Sequence, residues 1–413
     1  MGVGTIRLTM SYNIHQKPDL FTTAYNPMRL VAASTNYSQS NYQYVADIYV
    51  SGYSGYTRLL QSPDVTNGSA YFDIQSVIAS YVSPTVPNTT AGFQKDATSM
   101  VAYEVKMGEQ YGASSGITTY PNISVTGTRY AWSGVWSQKD FVSASYTTWV
   151  DTYDLSNKPT SLNYVQYPNS NRWHQILTQS SGNIYYLRCK TYNSAGTLLG
   201  TYLIANPYQA CTSYDQYNIL VNVGVTGLNA ATLASGVQPV VTSSVAYYKI
   251  SFTNFAQSTT IAEHTYYIDT RCTNSTIYTI HFRSELSALD SFDFIRRPHI
   301  TSNTKRDQYT QVTGTRVDNR TWTDAVTDRG DRVYNTQIED VYALESDWIT
   351  ETEATWLREM FESPEAYIET AAGVFEPCVI QSSSYETKKY DTQKLFNVQL
   401  TVKLANKRWR QRG

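Results

Sequence analysis

The stretch YTIHFRSELSALDSFDFIRRPHI, residues 278–300, gathers His281, His299, three carboxylates and three arginines. Such a density invites acid–base or metal chemistry. The periodicity points elsewhere. Ile277, Thr279 and His281 alternate with Tyr278, Ile280 and Phe282, and Phe292 and Phe294 flank Asp293. The stretch therefore reads as two strands joined by RSELSALDS, with its charges expected where loops and sheet faces meet solvent.

Other chemistry-bearing patterns are weaker. Gly112-Ala113-Ser114-Ser115-Gly116 fits G-x-S-x-G, but a nucleophile elbow needs a helix after the serine, and ITTYPNISVTG is β-branched and broken by Pro121. A Gly/Ser loop is expected there. The five histidines, His15, His174, His264, His281 and His299, show no i, i+3 or i+4 pair. Each is read as a lone, partly buried polar residue, although a metal site assembled from distant strands stays open. Asp290 with Asp293, Glu339 with Asp340, and Glu345 with Asp347 are carboxylate pairs of the kind a glycosidase holds about 5–9.5 Å apart in a sugar cleft. Aromatic residues, being abundant everywhere in the chain, do not single out such a cleft. Arg329-Gly330-Asp331 suits a tight turn with glycine at its tip. Lys407, Arg408, Arg410 and Arg412 surround Trp409 in the tail KRWRQRG, a basic cluster able to grip phosphate or an acidic protein surface, weighed against a solvated chain end. No catalytic, cofactor-binding or metal-binding residue is assigned, and no cofactor is expected.

Positioning elements follow from composition and pattern. Thirty-six tyrosines among 413 residues, with abundant Ser and Thr, favour pleated, half-buried surfaces, so a mainly β protein is expected. NYQYVADIYVSG alternates, with Tyr42, Tyr44, Ala46, Ile48 and Val50 on one face and Gln43, Asp47 and Ser51 mostly on the other. Tyr71, Phe72 and Ile74 end a strand that leads into one helical turn, and Asn193–Gly196 marks a hairpin. The spacing predicts one clear helix over 351–362: Thr350 and Glu353 form a capping box, Trp356, Leu357, Met360 and Phe361 share a face, and Pro364 stops it. In the final strand Phe396, Val398, Leu400, Val402 and Leu404 are expected to face inward.

Of the 66 charged residues, 39 follow position 280. With that shift and the SPTVPNTT linker at 83–90, three domains are expected: a β-sandwich over 1–90, a central β domain of sandwich or jelly-roll type over 91–275, and a charged α+β domain over 276–413. The formal charge of −2 provides no global field for nucleic acid or an anionic membrane. With no apolar run of spanning length, a soluble chain made in a cytoplasm without Sec export is expected. Four dispersed cysteines suggest buried thiols, a Cys189–Cys211 disulfide remaining open.

Beyond the residue patterns, IHFRSELSALDSFDFIRR resembles a strand, small-residue turn, Asp, aromatic, Phe signature of virion structural proteins of tailed phages infecting Bacteroidetes. Ser287-Ala288-Leu289-Asp290 stands where that turn usually has Gly-Gly before an aromatic and the Asp. AYNPMRLVAAS, YEVKMGEQYG and SDWITETEATWLREMFESPEAYIE extend the similarity in order along the chain. The resemblance implies a particle component of the tail, baseplate or a vertex-associated layer, located in the virion, whose partners are copies of itself and other virion proteins. A glycan-binding module for host attachment is the alternative, and a glycoside hydrolase the third.

Overall fold

The computed structural model describes residues 12–409, apart from 89–90, 114–115, 120–122, 125, 138–140, 142–152, 169, 180, 271–275, 372 and 383–394. It is mainly β and divides into two compact units, one of Met1–Asp269 with Ser284–Asp290, the other of Thr270–Arg283 with Ser291–Gly413. Strands are numbered in chain order.

The first unit contains two layered assemblies. In one, a sheet of β1 (Tyr12–Gln16), β3 (Arg29–Ser34) and β6 (Ser69–Asp73) faces a second sheet. That sheet runs β2 (Phe21–Thr23), β11 (Arg129–Trp132), β8 (Met100–Ala113), β4 (Gln43–Val50), β5 (Thr57–Gln61), with β9 (Gly116–Thr119) and β10 (Ile123–Ser124) also paired to β8. Leu30 and Ala32 of β3, Phe72 of β6, Tyr44 and Ile48 of β4, and Tyr103 and Val105 of β8 share the core between them. The expected alternation of β4 holds for its apolar face but not for Asp47, which is buried rather than turned to water. Arg58, directly opposite on β5, covers it with two bonds of 2.7 and 2.8 Å. The predicted helical turn is α1 (Gln75–Ala79).

In the other assembly, four strands run β12 (Tyr153–Asp154), β14 (Trp173–Leu177), β17 (Asn218–Asn222), β7 (Phe93–Lys95). Five more run β13 (Asn163–Gln166), β19 (Ile261–Ile268), β18 (Tyr247–Thr253), β15 (Tyr186–Tyr192), β16 (Leu198–Ala205). The sheets meet around Phe252 of β18, whose ring lies 6.3 Å from Phe93 and 5.4 Å from His174. A short helix, α2 (Val225–Ala230), follows β17. The hairpin at Asn193–Gly196 is present, its Asn193 carboxamide accepting from the Ala195 and Thr197 amides.

The expected boundary near 90 falls inside this unit. Pairing explains why: β8, beyond 90, joins β4 over Gln43–Val50, so the early strands find their sheet partners later in the chain.

The second unit is built on a sheet ordered β21 (Leu289–Phe294), β20 (Tyr278–Arg283), β27 (Ala366–Ala371), β28 (Val374–Ile380), β30 (Gln399–Leu404), β25 (Asp331–Glu345), β22 (His299–Thr310). A last strand, β31 (Arg408–Trp409), also pairs β25. Two small pairs complete it, β23 (Thr315–Arg316) with β24 (Trp322–Thr323), and β26 (Ile349–Thr350) with β29 (Leu395–Phe396). The helix α3 spans Glu351–Glu362 with Thr350 as N-cap, as its sequence predicts, and buries Ala354, Trp356, Leu357 and Met360 while Phe361 is half-buried. Val398, Leu400 and Val402 face inward as expected; the Phe396 side chain lies outside the described residues. No helix among the described residues is long and apolar enough to cross a membrane.

Candidate functional site

Two features stand out as sites, one in each unit. In the first unit, β12 brings Asp154 beside His174 of β14, and the facing sheet brings His264 of β19. His264 Nε2 lies 3.0 Å from Asp154 Oδ2, and His174 Nε2 lies 3.2 Å from Oδ1. Their rings stand 4.8 Å apart, centroid to centroid. Both imidazoles are buried, whereas the carboxylate keeps 20% of its surface exposed. The His174 approach lacks hydrogen-bond alignment, leaving its Nε2 without a bonded partner, and His264 Nδ1 is likewise unbonded. Burial drives the His264 pKa down to about 4 against the bond from Asp154, which acts to raise it. Burial also opposes ionisation of Asp154, yet the two imidazoles hold that carboxyl well below the usual carboxylate range. Two imidazole nitrogens and one carboxylate converge here, a donor set that can hold a divalent ion.

Read singly in the sequence, these histidines are two lone polar residues; the fold makes them neighbours. No spacing rule could have found them, because the contact runs between sheets and joins residues 110 apart.

The cluster at 278–300 does form two strands, with a shorter connection, 284–288, than the sequence suggests. Arg297 and His299 are exposed and Glu285 and Arg296 half-buried, as expected, but His281, Arg283, Asp290 and Asp293 are buried. His281 is buried on β20, its Nδ1 lying 2.8 Å from Ser291 Oγ and its Nε2 3.0 Å from Glu369 Oε2 on β27. Glu369 also accepts the Gly373 amide at 2.6 Å, and Asp293 accepts the Thr279 hydroxyl at 2.6 Å. In the first unit, the connection buries Leu286 and Ala288 with Trp132, Leu155 and Leu177, and Ser287 Oγ meets Ser133 Oγ at 2.7 Å. His281, Glu369, Asp293 and Ser287 are tolerated inside because each finds a partner. The Ser291, His281 and Glu369 contacts lie in the interior, with Ser291 itself 3% exposed.

In the second unit, β22 and β25 form a long ribbon, paired from His299↔Ala343 to Thr310↔Asp331 with one register shift at Asp307/Gln308. At about 3.4 Å per residue β22 spans roughly 40 Å. Support from β30 and β31 reaches β25 only at 337–338 and 341–345, so 331–336 have β22 as their sole sheet neighbour among the described residues. Eleven of the twelve β22 residues are exposed, on both faces. Ile300, Tyr309, Val312, Val317, Trp322 and Tyr334 offer exposed apolar surface along this arm.

The tail cluster is partly committed to the same arm. Arg408 Nη2 lies 2.7 Å from Asp340 Oδ2, Lys407 Nζ lies 3.9 Å from Glu339, and Trp409 is exposed. Arg410 and Arg412 lie outside the described residues. Thus Lys407 and Arg408 are ion-paired to β25 and yet, like Trp409, remain exposed.

Of the remaining motifs, Ser114 and Ser115 lie outside the described residues, while β8 and β9 pair up to Ala113↔Gly116 as a hairpin. Cys189, Cys211 and Cys378 are free thiols, and Cys272 lies outside the described residues. Neither a protein-family model nor a curated protein sequence matches the chain.

Proposed function

We propose that the chain is a structural protein of a bacteriophage virion, acting through self-assembly and contacts with other virion proteins in the tail, baseplate or host-attachment apparatus. The arm of β22 and β25 carries this reading. A two-stranded ribbon is marginal alone in water, so one bearing Trp and Tyr on open faces gains stability when another surface covers it. A second copy is the partner of choice. Lys305, Arg306 and Arg332 share the ribbon with Asp307 and Asp331, so like arms can approach without a dominant charge of one sign. Ser287 adds support to the phage resemblance: at the position of the first glycine in the resembled turn, its φ is 69°, in the region glycine favours.

Host-glycan recognition gains less support. Tyr192, Tyr247 and Tyr267 line up across β15, β18 and β19, but their rings stack on one another at 4.8 and 4.9 Å, covering the faces a sugar would use.

Light scattering on size-exclusion eluates at rising concentration tests the proposal. The intact chain should form a defined oligomer, and a variant lacking 306–336, with Lys305 joined to Gln337 through Asn-Gly, should remain a folded monomer. An intact chain that stays monomeric throughout, and is missing from purified particles by mass spectrometry, sinks the reading.

A further inference from the structure

We propose that Asp154, His174 and His264 bind one divalent ion, zinc, that ties together the two sheets of the first unit's second layered assembly. The inference goes beyond the assembly role and holds whether or not the chain oligomerises.

The donor set is chemically suited: two imidazole nitrogens and a carboxylate oxygen are ordinary zinc ligands. Donors 2.0–2.1 Å from a tetrahedral ion stand about 3.3–3.4 Å from one another. Here His264 Nε2 and His174 Nε2 lie 3.0 and 3.2 Å from the carboxylate oxygens, and donor atoms of all three residues fall within 4.8 Å of each other. Small side-chain adjustments would open that cluster to an ion.

A second observation points the same way. His174 is 1% exposed and directs Nε2 at the carboxylate without making a hydrogen bond there. A buried nitrogen left unbonded costs stability, roughly 1–3 kcal/mol for a polar group, and coordination would remove that cost. Asp154, 20% exposed, is the ligand of the three that reaches solvent.

Rigid placement argues for a structural ion. All three ligands sit on paired strands, β12 and β14 in one sheet and β19 in the other, so coordination would cross-link sheets. The competing cation is Lys158, buried with Nζ 4.4 Å from the Tyr164 ring centroid and 5.4 Å from that of Tyr266. Its ammonium, beside the Tyr164 ring that itself lies 6.2 Å from the His264 ring, is the metal-free alternative for this pocket.

The full chain, stripped with chelator and titrated with Zn2+ at neutral pH, decides between them. Calorimetry and elemental analysis should give one zinc per chain and a higher melting temperature. His264→Gln should weaken binding by at least about 100-fold. X-ray absorption on the zinc-loaded wild type should show two imidazoles in the first coordination sphere, a readout that does not depend on the variant folding. Failure of the stripped wild type to take up zinc, unchanged affinity in a folded His264→Gln variant, or absorption spectra without imidazole would each overturn the proposal.

Discussion

His281 and Glu369 hold each other inside the second unit, Nε2 to Oε2 at 3.0 Å, from adjacent strands of one sheet. Removing one partner of a buried pair leaves the other poorly solvated. His281→Ala should therefore destabilise by about 3–5 kcal/mol in urea unfolding. Replacing both His281 and Glu369 with Leu should cost less than His281→Ala alone. A single variant with wild-type stability would show that the pair contributes nothing.

The tail strand should respond to acid. Arg408, then Ser302, hold the Asp340 carboxyl below the usual carboxylate range by bonding its charged form. A depressed folded pKa adds stability that is complete above the unfolded value near 4 and declines as pH falls through the folded one. Amide protection at Arg408 and Trp409 should thus be constant from pH 7 to about 5 and drop in more acidic solution. Asp340→Asn should abolish that dependence. Hydrogen exchange resolved by residue provides the measurement.

The capping box of α3 is a local test. Thr350 Oγ1 accepts the Glu353 amide at 3.3 Å, and Glu353 Oε2 accepts the Thr350 amide at 2.9 Å. Thr350→Ala should cost about 1 kcal/mol, read from a denaturant midpoint with unchanged slope. Thr350→Ser should recover most of it.

Gly68, after Asn67 in the turn before β6, is held at φ +70°, and a Cβ there would fall 2.5 Å from the Tyr37 ring. Its carbonyl also accepts the buried Tyr44 hydroxyl at 2.6 Å. Gly68→Ala should destabilise by at least about 1 kcal/mol, because strain and overlap act together. A shift of the thermal midpoint smaller than that of Thr350→Ala would contradict this account.

The sequence by itself determined what local physics controls. Alternation sets strands such as β4 and β30, a capping box with Pro364 beyond it sets α3 from 351 to 362, and Asn193–Gly196 sets a hairpin. The shift in charge after position 280 lies close to Thr270, where the second compact unit starts, although Ser284–Asp290 belongs to the first. Tertiary structure decided which strands pair across long separations, as β4 with β8, and therefore that the first 90 residues share a unit with those that follow. It also decided which polar residues are buried. Asp47 reads as a surface group in one dimension and His281 as a lone, partly buried one, because their covering partners, Arg58 and Glu369, come from other strands. The same holds for Asp154, His174 and His264: a sheet-to-sheet contact has no fixed sequence spacing, so only packing could bring them together.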